Sequence, residues 1–238
     1  MIHELRELQL GQVIAAIAGL GTAAFGLVEA AKPVFGGINR AGWKHIRQVV
    51  SGLAPESAGA TGPLNGLAQG EMLKTLEANW VNGVDLVSQK SIAKSLIKLH
   101  LNSSNAAAVA DRAGVDPERL GRAAALQAAA SPLSPAESDA FSRFDLILTA
   151  LLDEAYQSSE QVYRNFTRSL AACAAVALAI AGGWSLDGGG QFWSSPDAIL
   201  ALLAGLLATP LAPVAKDLST ALATAVDTLQ MAKRQGGR

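Results

Sequence analysis

Charge, aromatic rings and above all cysteine are scarce in this sequence. Charged residues make up 16% of its 238 positions and aromatics 5%, whereas soluble domains are roughly a quarter charged. The single cysteine, Cys173, excludes an intrachain disulfide framework and any cysteine-based metal centre. His3, His45 and His100 never stand at the spacing of a helical zinc site. No serine occupies a G-x-S-x-G turn, and the glycine-rich DGGGQ at 187–191 lacks the Lys-Ser/Thr of a phosphate loop. No catalytic residue, cofactor or metal is therefore expected. A net charge of -1 gives no bulk attraction for nucleic acid.

What the chain has instead is apolar length. Half of it is hydrophobic, and its mean hydropathy is +0.27. Charge is missing from three segments: 10–31 as far as Glu29, 169–186, and 198–215. Each is long enough for a helix to cross a hydrocarbon core of about 30 Å. The second is mostly alanine, nearly neutral for insertion, and is expected to enter as a hairpin with the leucine-rich third. Trp184 and Trp193 stand at the edges of the loop between them, where an amphipathic ring suits a membrane interface. That loop carries Asp187 and Asp197 but no Lys or Arg. Lys32, Arg40, Lys44, Arg47, Arg164, Arg168 and Lys216 flank the opposite ends. The positive-inside rule then places residues 33–168 and the C-terminus in the cytoplasm, with the N-terminus outside.

The opening run invites two other readings. A cleaved export signal requires a positive start, but MIHELRELQL sets Glu4 and Glu7 against Arg6, although VEA at 28–30 has the small-residue form of a cleavage site. Gly19-Leu20-Gly21-Thr22-Ala23-Ala24 matches the G-x-G-x-x-A dinucleotide turn, which needs a strand before it and an acid about 20 residues on. GGINRAGWKHI stands there with no carboxylate, and no segment reads as a strand. Small residues recurring every four positions fit helix packing in lipid better. They run Gly11, Ala15, Gly19, Ala23 in the first segment, Ala171, Ala175, Ala179, Gly183 in the second, and Ala201, Gly205, Thr209 in the third. Gly11, Gly19, Ala171, Ala175, Ala179 and Gly205 are the expected contact positions. Glu29 is the one acid inside an expected span. It either lines a pore or, as we favour, reaches the interface beside Lys32, one turn away.

In the middle of the chain, SGLAPESAGATGPLNGLAQG at 51–70 reads as a loop. Leu73, Leu76, Trp80, Val84, Val87, Ile92, Leu96 and Leu99 predict one helix over 71–101, with Lys90, Lys94 and Lys98 striped along its other side. That stripe is either a solvated face or a contact with anionic lipid headgroups. Residues 105–127 have the rhythm of a helix-turn-helix: a turn at Ala113-Gly114-Val115, then Asp116 capping a helix with Pro117 in its first position. The segment resembles bacterial repressors in this, but its second helix offers only Arg119, Arg122 and Gln127 among alanines, and acids match bases across 33–168. From Pro135, capped by Ser134 or Ser138, helical periodicity continues without Gly or Pro to Ala181.

The expectation is an all-α integral membrane protein with three transmembrane helices and a cytoplasmic helical domain. The divisions are 1–32 (first span), 33–168 (cytoplasmic domain ending in a long stalk helix), 169–215 (transmembrane hairpin) and 216–238 (C-terminal amphipathic helix). The expected role is a non-enzymatic, self-associating anchor or scaffold in a bacterial inner membrane. Its expected partners are lipids, further copies of itself and a cytoplasmic protein, with nucleic acid not among them. A homo-oligomeric pore is the alternative, and a membrane-tethered helix-turn-helix regulator the second.

Overall fold

A computed structural model describes residues 2–55, 68–186 and 191–212, the side chains of 2–11 excepted. All regular structure among these residues is helical. The chain divides into two compact units, one formed by Met1–Phe35 with Asn165–Arg238 and the other by Gly36–Arg164. The unit boundaries fall at 35/36 and 164/165, against 32/33 and 168/169 in the sequence reading.

The inner unit, Gly36–Arg164, contains α2 (Trp43–Leu53), α3 (Gln69–Val81), α4 (Leu86–His100), α5 (Ala106–Ala113), α6 (Pro117–Ala128) and the first part of α7 (Pro135–Leu186). Its core is built along α7, where Phe144, Leu148, Leu152 and Tyr156 recur every four residues and are buried. Ile46 and Val50 of α2, Met72 and Leu76 of α3, Ala93 and Ile97 of α4, Val109 of α5 and Leu120 of α6 complete it. Each contributing helix buries residues three or four apart, as an amphipathic stripe requires. α7 begins with a reciprocal cap: the Glu137 N–H donates to Ser134 Oγ at 3.4 Å, and the Ser134 N–H donates to Glu137 Oε2 at 2.9 Å. The cap is thus Ser134, and α7 runs unbroken for 52 residues.

The single helix expected over 71–101 is instead two. Gly83 adopts φ +68°, a left-handed conformation that β-carbons disfavour, and ends α3. Asp85 then caps α4 by accepting a hydrogen bond from the Ser88 N–H at 2.9 Å. The turn between α5 and α6 falls where the sequence puts it. Gly114 is left-handed at φ 60°, and the Asp116 carboxylate accepts from the Arg119 N–H at 2.9 Å, with Pro117 opening the helix.

The other unit contains α1 (Ile2–Ala31), the rest of α7 and α8 (Pro196–Ala212), preceded by a short 3₁₀ turn at Phe192–Ser194. Two helices, Gln12–Ala31 within α1 and α7 itself, are long and apolar enough to cross a membrane, each with a best window of mean hydropathy 1.8. α8 is shorter. Over its described length it rises about 25 Å, less than a hydrocarbon core of about 30 Å. The helix expected over 216–238 lies outside the described residues.

Candidate functional site

The unit holding α1 and α8 makes its closest contacts through small residues and exposes most of its large apolar ones, Val28 and Phe192 being buried exceptions. Ala24, Ala175 and Ala208 meet at its centre with no exposed surface, and Ala18, Ala171 and Ala212 are buried beside them. Glycine allows the closest approaches. A β-carbon on Gly21 would lie 2.1 Å from the Ala208 carbonyl oxygen, and one on Gly205 would lie 2.5 Å from Val176 Cα. The large apolar side chains face the other way. Val13, Ile14 and Leu27 of α1 and Leu202, Leu203, Leu206 and Leu207 of α8 are exposed, with Ile199 at 63% and Leu200 at 60%. In water this arrangement would forgo about 25 cal/mol for every Å² of apolar surface left uncovered. In lipid it forgoes nothing, because hydrocarbon is already apolar and only close backbone packing distinguishes inside from outside.

The expected packing positions divide accordingly. Ala171, Ala175 and Gly205 are buried contacts, and Ala179 is half-buried. Gly19 is exposed, with nothing within 4 Å of a β-carbon placed on it, and within the chain Gly21 makes the close contact. Two residues along a helix turn the side chain through about 200°, so Gly19 and Gly21 lie on opposite faces of α1. Gly11 lies in α1, but its packing is outside the described residues.

Glu29 is exposed near the end of α1, where Lys32 Nζ approaches its Oε1 at 2.5 Å. The neighbouring Lys32 named from the sequence is thus its partner. Trp184 and Trp193 are both exposed, at 51% and 69%. The ring that is buried between them was not singled out from the sequence. Phe192 has no exposed surface, stacks edge-on against Trp193 at 5.4 Å and lies against Gly183. Its signal was its place in FWSSP, immediately before a proline-initiated helix, where a buried anchor fixes the entry of the chain.

In the inner unit the lysine stripe is neither a free solvated face nor a free lipid-binding one. Lys90 meets Asp153 at 2.5 Å, and Lys94 meets Asp145 at 2.6 Å and Thr149 Oγ1 at 2.9 Å. Lys98 pairs with the same Asp145 and also lies over the Phe141 ring, 5.4 Å from its centroid. Asp145, Thr149 and Asp153 stand four residues apart on α7, so successive turns of α4 and α7 are joined along one seam. Burial pushes the Asp145 carboxyl up, but hydrogen bonds and charge from Lys94 and Lys98 outweigh it and hold it below the usual aspartate value. Hydrogen bonds from Ser134 likewise hold Glu137 low, aided by the Arg122 charge, and those from Ser88 hold Asp85 low. Burial alone pushes the Tyr156 hydroxyl well above its ordinary value.

The helix-turn-helix offers little to a base edge. Arg119 faces its own cap Asp116 at 3.8 Å, while Arg122 lies 3.7 Å from Glu118 and 3.4 Å from Glu137. On its other side, Val109, Leu120, Ala123 and Ala124 are buried. Among the described residues no group of three or more His, Cys, Asp or Glu is placed to hold a metal ion. No protein-family model, curated protein or solved structure matches the chain.

Proposed function

We propose that the protein is a three-span anchor or scaffold of a bacterial inner membrane, holding the helical unit of residues 36–164 at the cytoplasmic surface. The observation that carries this reading is the inverted packing of the unit built from α1, the end of α7 and α8. Alanine and glycine make its closest contacts, with Val28 and Phe192 buried beside them, and leucine, isoleucine and valine dominate its exposed surface. α8 completes a span where the bilayer thins locally to meet its described length. Trp184 and Trp193 then lie at the outer interface, and Glu29 with Lys32 at the inner one. Cytoplasmic function falls to the inner unit, whose paired surface charges suit recognition of a protein partner better than of a polyanion.

Site-directed labelling tests topology and insertion together. In a Cys173→Ala background, Ser194→Cys is expected to react with a membrane-impermeant maleimide on intact spheroplasts, and Ser95→Cys only after lysis. Reaction of both before lysis, or release of the chain from membranes by alkaline carbonate, would overturn the reading. A pore of several copies is the second reading, favoured by Ser169 and Cys173 being exposed on α7. Native mass spectrometry from detergent would support it with a discrete assembly of four or more chains and refute it with a monomer.

A further inference from the structure

The inner unit contains a cavity of about 350 Å³ that the anchor reading does not use. It lies where α3 ends, α4 begins and α7 passes, all within Gly36–Arg164. Its volume is at the small end of ligand sites, enough for a ligand of one ring and a short chain.

The walls are apolar and aromatic with a consistent polarity. Trp80 and Tyr163 stand nearly perpendicular, their centroids 6.3 Å apart, and form two sides of a corner. Val84 and Leu86 add aliphatic surface. Asn39 and Asn82 contribute neutral amides, and the one formal charge in the lining is negative. The Glu160 carboxylate is part of the lining, and its partner Arg164 reaches it from outside the lining. The lining also includes the C-terminal end of α3, from Trp80 to Gly83, where helix carbonyls gather negative partial charge. The opposing start of α4 is already compensated by its cap, Asp85.

Gln89 adds a third source. It is 2% exposed and lines the cavity. Its Nε2 donates to the Val84 carbonyl at 2.5 Å, which fixes the orientation of the amide, because a flip would set oxygen against oxygen. Its Oε1 is buried and has no hydrogen-bond partner. An unpaired carbonyl in a wall of low dielectric projects an uncompensated negative potential. No Lys, Arg or His lines the cavity to balance it.

We infer that this cavity is a binding site for a small organic ammonium ion. The charged head lies towards Glu160 and the end of α3, and an apolar body lies against Trp80, Val84 and Leu86. Tyr163, three residues from Glu160 on α7, adds a cation–π attraction to the head that an uncharged ligand of the same shape lacks. The site lies beyond the anchor reading and would survive its failure, since every residue it uses belongs to the inner unit.

The test is isothermal titration of the full chain in detergent micelles with 2-phenylethylamine hydrochloride, and with 2-phenylethanol as the uncharged probe of similar shape. Saturable binding of one ammonium per chain is expected, with a Kd of about 1 mM or tighter and about tenfold preference over the alcohol. Glu160→Gln, at a half-buried position on the helix surface, should cut that preference to about threefold or less while the far-ultraviolet circular dichroism is unchanged. Gln89→Met should weaken both probes, the ammonium more. Absence of saturable binding, equal affinity for the two probes, or an undiminished preference in Glu160→Gln would each overturn the assignment.

Discussion

A matched pair of glycine substitutions, Gly19→Ala and Gly21→Ala, isolates the packing of α1 from its helix propensity. Both glycines lie in the apolar part of the helix, two residues apart. Replacing glycine by alanine within a helix gains roughly 0.5–1 kcal/mol from propensity at either position. A β-carbon at Gly19 meets nothing within 4 Å, whereas one at Gly21 lies 2.1 Å from the Ala208 oxygen and 2.9 Å from the Ala212 β-carbon. Restoring ordinary contact, at about 3.5 Å, forces α1 and α8 apart by about 1 Å locally. A gap of that size forfeits a quarter to a half of each atomic contact of about 0.1–0.2 kcal/mol, so some thirty weakened contacts cost about 2 kcal/mol. Gly19→Ala should therefore be neutral or stabilising, and Gly21→Ala should be destabilised by about 1 kcal/mol, a separation of about 2 kcal/mol. Unfolding by sodium dodecyl sulfate in mixed micelles, followed by tryptophan fluorescence, measures both. If the two variants agree within about 0.5 kcal/mol, α1 does not pack through its Gly21 face and the inverted-packing argument fails.

In the inner unit, Phe144→Ala removes a fully buried ring from the centre of the core; a loss of about 3–5 kcal/mol is expected in thermal or urea unfolding. Asp116→Ala deletes the side-chain cap of α6 and should cost about 1 kcal/mol, with Asp116→Asn recovering most of it. Asp145 is held below its ordinary value in the fold, so its contribution is complete above the unfolded value near 4 and is lost as pH falls through the lower folded one. Asp145→Asn should accordingly flatten the acid limb of the stability profile below about pH 4 and cost no more than about 1 kcal/mol at pH 7, since the pairs are partly solvated. An acid limb unchanged in the variant would show that the α4–α7 seam does not carry that dependence.

The sequence is most legible where one signal stands alone. The long α7, a serine cap at Ser134 or Ser138, and the Gly114–Asp116–Pro117 turn all follow from residues with few competing roles. The division of 71–101 was hidden because apolar periodicity carries on across Asn82–Val84, although Gly83 and the Asp85–Ser88 cap were present as local signals. The lysine stripe does not announce its partners, because they lie about fifty to sixty residues away in sequence. Asp145, Thr149 and Asp153 share the four-residue repeat of Lys90, Lys94 and Lys98, and only this matched spacing hinted at a seam. The choice between Gly19 and Gly21 has a deeper difficulty. α1 carries small residues on two faces, Ala15, Gly19 and Ala23 on one and Ala18, Gly21 and Ala24 on the other. Composition does not say which face has a neighbour. The cavity was invisible for a similar reason: Trp80, Gln89 and Glu160 belong to three helices and form no local motif.

The order of the units along the chain has a consequence for synthesis. The unit containing α1 is discontinuous, and Gly36–Arg164 is made in between. At about 5–20 residues per second, the ribosome takes on the order of ten seconds to pass from Phe35 to Asn165. Throughout that time α1 exists without α8 and without the part of α7 that follows Arg164, and its Gly21 face lacks the neighbours it was shaped for. Neighbouring copies emerging on the same message present identical unpaired faces during that interval. The rate of translation through the inner unit, as much as any equilibrium constant, then decides whether α1 waits for its own chain or pairs with another.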